Sequence, residues 1–131
     1  EEYMRWAAPV QALARTVTRP TTLGGQQLAA GDRVLLSWTS ANRDEKVFDR
    51  VDEVVLDRFP NKHVAWGQGL HRCVGAHMAR AMIDIILTEV LTRIPDFKID
   101  EERSRQYPNI GIVNGWAVMP ATFTPAPVSV A

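Results

Sequence analysis

The chain has 131 residues, 46% of them hydrophobic, and a formal net charge of zero, which is typical of one globular domain or part of one. The balanced charge argues against nucleic acid as a partner, and no apolar run approaches the roughly 20 residues that span a membrane. A single cysteine excludes an internal disulfide framework and favours a reducing compartment, so we expect a cytoplasmic protein.

The chain begins with a segment that is typical of the end of a helix. Residues 2–8 are predicted to be helical, and Pro9 stops them because a residue before proline is pushed out of the helical region. Glu2 and Arg5 share one face of this helix. Spacing alone favours an exposed ion pair at these two positions, worth a few tenths of a kcal/mol.

Short strands and an irregular segment follow. Turns at Gly24–Gly25 and near Gly31 predict a small β-meander. Its strands are expected over residues 10–18, 26–28 and 33–38. The continuous apolar centre of the third strand predicts burial on both faces. Residues 47–62 have no clear period and are predicted to be an ordered, irregular stretch.

The second half is dominated by one predicted helix over residues 75–94, which Pro95 ends. Its apolar stripe consists of Ala79, Ile83, Ile86, Val90 and Ile94. This spacing, widened by further apolar residues, predicts a long buried helix that needs more protein around it than this chain supplies. A short strand is predicted over residues 97–99, and a terminal β-hairpin over residues 110–118 turns at Asn114–Gly115.

The only cysteine lies in a glycine-rich loop just before the long helix. Gly67, Gly69 and Gly75 allow the backbone to approach a flat partner closely, and the start of a helix favours a thiolate at Cys73. These are conditions for an anionic sulfur ligand. Two alternatives compete, a phosphate-binding loop and a zinc site. The zinc ligands would be His63, His71, Cys73 and His77, whose spacing lacks the usual paired regularity.

Residues 66–80 resemble the cytochrome P450 haem-binding signature, an aromatic residue followed by Gly-x-Gly-x-His-x-Cys-x-Gly and a closing Ala-Arg. Trp66 stands where the family usually has phenylalanine, and Met78 stands where it usually has leucine. Residues 2–5 are similar to the family's Glu-x-x-Arg motif, and Arg58 is similar to its meander arginine.

The resemblance implies an α+β chain that is the C-terminal portion of the mainly helical P450 fold, of the soluble bacterial type. It implies that residues 1–131 are a C-terminal fragment of a single domain, with the N-terminal two-thirds absent. The oxygen-activating helix, with its acidic residue and threonine, would then precede Glu2. Glu2, Arg5 and Arg58 would form a buried structural triad instead of an exposed pair.

The resemblance also implies the cofactor and its contacts. The cofactor would be haem b (iron protoporphyrin IX), with Cys73 as the proximal thiolate ligand of the iron. Arg15 and His71 would contact its propionates. The remaining cofactor-binding residues by this resemblance are Trp66, Gly67, Val74 and Gly75.

By the same resemblance the parent protein is a monooxygenase that inserts one oxygen atom from O2 into a hydrophobic small molecule, with electrons from a ferredoxin or flavodoxin-type partner. The substrate would be lined by Val10, Gln11, Ala12, Leu13, Ile112 and Val113. Lys62, His63 and Arg72 are hypothesised to dock the redox partner. The alternatives are a truncated, inactive haem-binding remnant, a peroxide-using P450-like enzyme, and a non-haem protein with an inert cysteine.

Overall fold

The computed structural model describes residues 1–108 and 112–125. These residues form two compact units, the first with residues 1–65 and 112–114 and the second with residues 66–108 and 115–125. None of the helices in the described ranges has the length and apolar character that crossing a membrane requires.

The first unit contains two short helices and four strands. Its elements in chain order are α1 Glu2–Ala7, β1 Ala12–Thr16, β2 Thr21–Leu23, β3 Gln26–Leu28, β4 Arg33–Ser37 and α2 Trp38–Ala41. The predicted first helix is confirmed, and it ends where Ala8 adopts a left-handed conformation directly before Pro9. Ser37 caps α2, because its hydroxyl accepts a hydrogen bond from the Ser40 N–H.

Three of the four strands, β1, β3 and β4, lie within the predicted ranges, whereas β2 lies outside them, and the four do not pair as a β-meander. β1 pairs antiparallel with β4, whereas β2 and β3 form a separate hairpin between them in the sequence. The reason lies in the second turn, where Val17 exchanges backbone hydrogen bonds with Gly31 and Asp32. These bonds return the chain alongside β1 instead of alongside β3.

The prediction that the strand over residues 33–38 is buried on both faces is wrong for this chain. β4 pairs with β1 alone among the described strands, and Leu35 remains 66% exposed. Burial on both faces requires other elements packed against both sides of the sheet, so an apolar run does not by itself guarantee burial.

Residues 42–65 form an irregular, ordered segment that contains the predicted stretch over residues 47–62. The structure assigns no helix or strand to these described residues, which are instead shaped by successive turns. Phe48 and Val55 are buried and anchor the segment. The name meander is used below for residues 42–65.

The second unit contains the cysteine loop, the long helix and four short strands. Its elements are a 3-10 helix Gly69–His71, α3 Ala76–Arg93, β5 Lys98–Ile99, β6 Arg105–Gln106, β7 Trp116–Val118 and β8 Ala121–Thr122. The long helix is confirmed to within one residue at each end. The sequence predicts that burying this helix needs more protein than this chain supplies, and most of α3 is exposed in this chain. Only Ala76 is buried within α3, and Ile86 is exposed on the apolar stripe.

The terminal strands pair differently from the prediction. β7 pairs antiparallel with β6, and β8 pairs with β5. Asn114–Gly115 is therefore not the turn of a two-residue hairpin, because Val113 forms a bridge with Val10 and does not lead a strand that pairs with β7. Ile110 and Gly111, which belong to the predicted hairpin, lie outside the described residues.

Candidate functional site

In the first unit, the Glu2 carboxylate is the centre of a buried hydrogen-bond cluster. Arg5 donates to both of its oxygens from Nε and Nη2, each at 2.8 Å. Arg58 Nε lies 3.1 Å from both oxygens. The Val55 N–H and the Asn61 side-chain amide complete the set, each at 2.9 Å. The structure therefore brings together the three residues of the predicted triad and adds two donors to them.

Arg5 connects this cluster to the meander through main-chain oxygens. Its Nη1 donates to the carbonyls of Asn42 and Val51, each at 2.9 Å, and its Nη2 donates to the carbonyl of Glu53 at 2.8 Å. With the two bonds to Glu2, all five guanidinium N–H groups have acceptors. Arg5 is 0% exposed, so this complete pairing is what allows the charge to be buried.

The cluster holds Glu2 in its charged form. Burial on its own would raise the pKa of Glu2, but the hydrogen bonds from Arg5, Val55 and Arg58 outweigh burial and lower this pKa from 4.5 to about 2. The carboxylate is therefore ionised throughout the physiological pH range.

An aromatic ring and a second carboxylate complete the surroundings of Arg58. The guanidinium carbons of Arg5 and Arg58 lie 5.4 Å and 5.8 Å from the centroid of the buried Phe48 ring. Arg58 also donates to the backbone carbonyl and the carboxylate of Asp49. The hydrogen bond from Arg58 lowers the pKa of Asp49 below its usual range. One arginine thus ties Glu2 to the meander.

In the second unit, the cysteine loop is closed at its base by one backbone bond. The Cys73 N–H donates to the Trp66 carbonyl at 2.8 Å. Between them, Gly67 and Gly69 take φ values of 70° and 72°, a left-handed conformation that favours glycine. A Cβ at Gly67 would lie 3.6 Å from the His71 carbonyl oxygen. The glycines therefore make the tight path of this loop possible.

Cys73 lies two residues before the N-cap Gly75 of α3, and its thiol is free and exposed. The Ala76 N–H donates to the Cys73 carbonyl at 3.3 Å, which turns the chain into the helix. Among the described residues, neither Val74 nor Gly75 has an acceptor for its backbone N–H. A Cβ at Gly75 would lie 3.9 Å from the Cys73 sulfur. An exposed thiol, free N–H donors and a helix N-terminus fit an anionic sulfur ligand, which is what haem iron would require here.

The zinc alternative finds no support in the geometry. Within residues 1–108 and 112–125, no three His, Cys, Asp or Glu side chains come together in a way that could hold a metal ion.

The other predicted cofactor contacts lie on both units. Arg15 is exposed on β1, and its guanidinium donates to the Ala14 carbonyl at 3.0 Å. His71 is exposed at the end of the 3-10 helix, and the Val74 side chain is 101% exposed. Trp66 is half-buried, and its indole N–H is buried without a hydrogen-bond partner in the described chain.

The predicted docking role of His63 is contradicted by its burial. His63 Nε2 lies 2.7 Å from a Glu1 carboxylate oxygen, and its Nδ1 accepts a hydrogen bond from the Ala65 N–H. Accepting at Nδ1 places the proton of a neutral imidazole on Nε2, which then donates to Glu1. Lys62 and Arg72 are exposed.

The two predicted substrate segments lie side by side within the first unit. Val10 and Val113 form an antiparallel bridge, and the Gln11 N–H donates to the Ile112 carbonyl at 2.8 Å. The side chains of Val10, Leu13, Ile112 and Val113 are all exposed, whereas Gln11 and Ala12 are half-buried. Two segments about a hundred residues apart in sequence thus lie side by side and carry exposed apolar side chains.

Asn42 is a structural residue that the sequence did not reveal. It is fully buried, its carbonyl accepts from Arg5, and its side-chain oxygen accepts from the Val64 N–H at 2.8 Å. Its partners lie far along the chain, so no local pattern indicates this role. The only signal is its place in the polar run Asn42-Arg43-Asp44 after the strands.

A Glu–Arg–Arg cluster on a meander and a cysteine presented by a glycine loop at a helix start are features of the haem-thiolate class of proteins. The comparison with family models agrees, because the model described as Cytochrome P450 matches residues 1–120. The chain belongs to the cytochrome P450 family.

Individual relatives agree with this assignment. The chain is 40% identical over 129 residues to the steroid C26-monooxygenase of Mycolicibacterium smegmatis, covering 98% of this chain and 32% of that protein. It is similar to the structure of CYP109E1 from Bacillus megaterium in complex with testosterone, with a TM-score of 0.82 and 36% identity over 88% of this chain and 32% of the other. It is also similar to Mycobacterium marinum CYP150A6 in the substrate-free form, with a TM-score of 0.88 and 34% identity over 96% of this chain and 33% of the other. The chain spans about a third of each of these proteins.

Proposed function

We propose that this chain is the C-terminal third of a single P450 domain, and that the whole domain is a haem-thiolate monooxygenase. The reaction is insertion of one oxygen atom from O2 into a hydrophobic small molecule, with electrons from a ferredoxin or flavodoxin-type partner. The observation that carries this proposal is the free Cys73 thiol at the start of α3, in a chain whose family match runs over residues 1–120.

Cys73 is the proximal ligand of haem b in this proposal. When bound, the haem supplies the oxygen-activating and electron-accepting chemistry, and a thiolate ligand favours O–O cleavage. The chain contributes the conditions for that ligand. The N-terminal end of α3 suits an anionic ligand, and the N–H groups of Val74 and Gly75, which have no acceptor among the described residues, are available to donate to the sulfur and restrain its basicity.

Arg15 and His71 are proposed to bind the haem propionates. Both side chains are exposed, and a guanidinium group offers five N–H donors. Charge-assisted hydrogen bonds to carboxylates are among the stronger polar contacts in proteins. Replacing Arg15 by Gln is expected to speed haem dissociation, measured as transfer to an acceptor haem protein.

Val10, Leu13, Ile112 and Val113 are proposed to contact the substrate. Their exposed aliphatic side chains suit a large hydrophobic molecule. Steroids are the first class to test, because the named relatives include a steroid C26-monooxygenase and a testosterone complex. Val113→Asp is expected to weaken steroid binding at least tenfold in equilibrium dialysis, because burying a charge is costly. Leu23→Asp, at an exposed apolar residue in the separate β2–β3 hairpin, is the matched control.

We also propose a cytoplasmic location, because a single cysteine favours a reducing compartment.

Arg72 is proposed to help dock an acidic redox partner. The support is that Arg72 is exposed and lies next to Cys73 in the sequence. Arg72→Glu is expected to slow reduction by an acidic ferredoxin and to weaken its dependence on ionic strength. Arg19→Glu makes the same charge change at another exposed arginine and should leave the rate unchanged.

The decisive experiment is the ferrous–carbonyl absorption spectrum of the full-length, haem-loaded protein. Thiolate ligation predicts the band after which the family is named, and Cys73→Ala should abolish it. A folded, haem-loaded wild type without that band would refute the proposal. Oxygenation of a bound steroid, followed by mass spectrometry with 18-oxygen gas, then tests the reaction itself.

A further inference from the structure

In the second unit, Arg80 of α3 stacks on the ring of Trp66 at the base of the cysteine loop. The guanidinium carbon of Arg80 lies 5.2 Å from the centroid of the Trp66 ring. Both side chains are half-buried. This geometry is that of a cation–π contact, which is stronger where the groups are partly removed from water.

Trp66 contacts both Arg80 and the proposed ligand Cys73. The backbone of Trp66 accepts the hydrogen bond from the Cys73 N–H, while its ring contacts Arg80. Trp66 therefore links Cys73 to the second turn of α3 by non-covalent contacts, in addition to the covalent link through residues 74–75. Two other side chains of the loop, those of Leu70 and Val74, are fully exposed in the part of the chain that the structure describes.

The choice of tryptophan supports a role for the ring face. The indole N–H is buried and finds no partner among the described residues, which is unfavourable on its own. Phenylalanine, the residue usual in the family, would avoid that unpaired group. What tryptophan adds is a larger, more electron-rich face, and this face is the part that Arg80 contacts. Arginine is suited to it because its planar guanidinium can stack.

We propose that the Arg80–Trp66 stack is a clamp that holds the Cys73 loop in the shape required for thiolate ligation. Arg80 is then a positioning residue that acts through Trp66. This inference rests on the proposed haem function, and it adds a determinant of how long the thiolate remains on the iron.

The test compares loss of the thiolate ligand with loss of the fold in the full-length, haem-loaded protein. Decay of the ferrous–carbonyl band in mild urea reports the ligand, and far-ultraviolet circular dichroism under the same conditions reports the fold. A double-mutant cycle is formed by Trp66→Phe, Arg80→Gln and the variant that carries both substitutions. Trp6→Phe is the matched control, because Trp6 carries a similar contact with Arg43 at 5.7 Å in the first unit.

Each single variant is expected to speed decay of the band about fivefold relative to unfolding, which is the size expected of a partly buried cation–π contact. The double variant should decay no faster than the faster single one, and Trp6→Phe should leave the ratio of the two rates unchanged. Arg80→Lys keeps the charge without the planar stack and is expected to lie between wild type and Arg80→Gln. It also serves if the glutamine variant does not fold.

Three results would overturn the clamp. The first is that the effects of Trp66→Phe and Arg80→Gln on band decay multiply in the double variant. The second is that neither single variant changes the ratio of band decay to unfolding, and the third is that Trp6→Phe changes this ratio equally. These differ from failure of the proposed function, in which the wild type itself would lack the band.

Discussion

Replacing Glu2 by Gln tests the cluster that joins α1 to the meander. The substitution keeps the shape of the side chain but removes the charge that faces Arg5 and Arg58, whose side chains are 0% and 5% exposed. It also replaces one carboxylate oxygen by an amide NH2 group, which then faces at least one N–H donor that the oxygen had accepted from. Removing one partner of a buried ion pair typically destabilises a protein by about 3–5 kcal/mol, because the remaining charges stay buried without compensation.

The pKa of Glu2 gives a second route to this magnitude. A carboxyl with a pKa of about 2 in the folded protein and 4.5 in the unfolded chain contributes about 3 kcal/mol of stability at neutral pH. Because the folded-state pKa is the lower one, this contribution is complete above about pH 4.5. It is lost as the pH falls toward 2.

The assay is urea denaturation of the full-length protein at several pH values, followed by circular dichroism. At pH 7 the glutamine variant should be less stable by about 3–5 kcal/mol. The difference between the two proteins should shrink as the pH falls from about 4.5 to about 2, since wild-type Glu2 then becomes neutral as well. Glu53→Gln is the control, because its carboxylate makes only a 3.8 Å contact with Arg50 at the surface. A pH-independent difference, or one no larger than that of Glu53→Gln, would refute the reasoning.

Two further substitutions probe the cluster and the loop. Arg58→Lys should lower the stability of the protein by about 1–2 kcal/mol in the same denaturation assay, which is less than Glu2→Gln. The reason is that lysine keeps the charge but lacks the planar guanidinium that reaches the carboxylates of both Glu2 and Asp49. A loss as large as that of Glu2→Gln would contradict this. Gly67→Ala and Gly24→Ala should each lower stability by about 1 kcal/mol, because both glycines have positive φ. Only Gly67→Ala should also speed haem loss, and an equal effect of Gly24→Ala on haem loss would show that the loop path is not what matters.

The parts of the structure that could be predicted from sequence are those set by local pattern. The period of the apolar residues and the stop at Pro95 located α3 to within one residue at each end. The glycine spacing around Cys73 likewise indicated a loop that ends where the helix starts, since positive φ and helix initiation are properties of neighbouring residues.

The parts that could not be predicted depend on partners distant in sequence. Arg105–Gln106 carries no strand signal, yet it pairs with β7 because the chain returns past it. The period of β4 did not reveal that only one neighbouring strand would pair with it. The buried His63 pairs with Glu1, which lies 62 residues earlier in the sequence.

The contacts of Arg5 make the meander sensitive to its length more than to its sequence. The carbonyls of Asn42, Val51 and Glu53 that accept from this guanidinium belong to the main chain, and every residue type would offer the same oxygen. Apart from Asn42, Phe48 and Asp49, most side chains between residues 42 and 53 could therefore change without altering the oxygens that accept from Arg5. One inserted or deleted residue in that interval would move at least one carbonyl out of reach and leave a buried charge with an unused donor. Arg5 thus constrains the number of residues between 42 and 53.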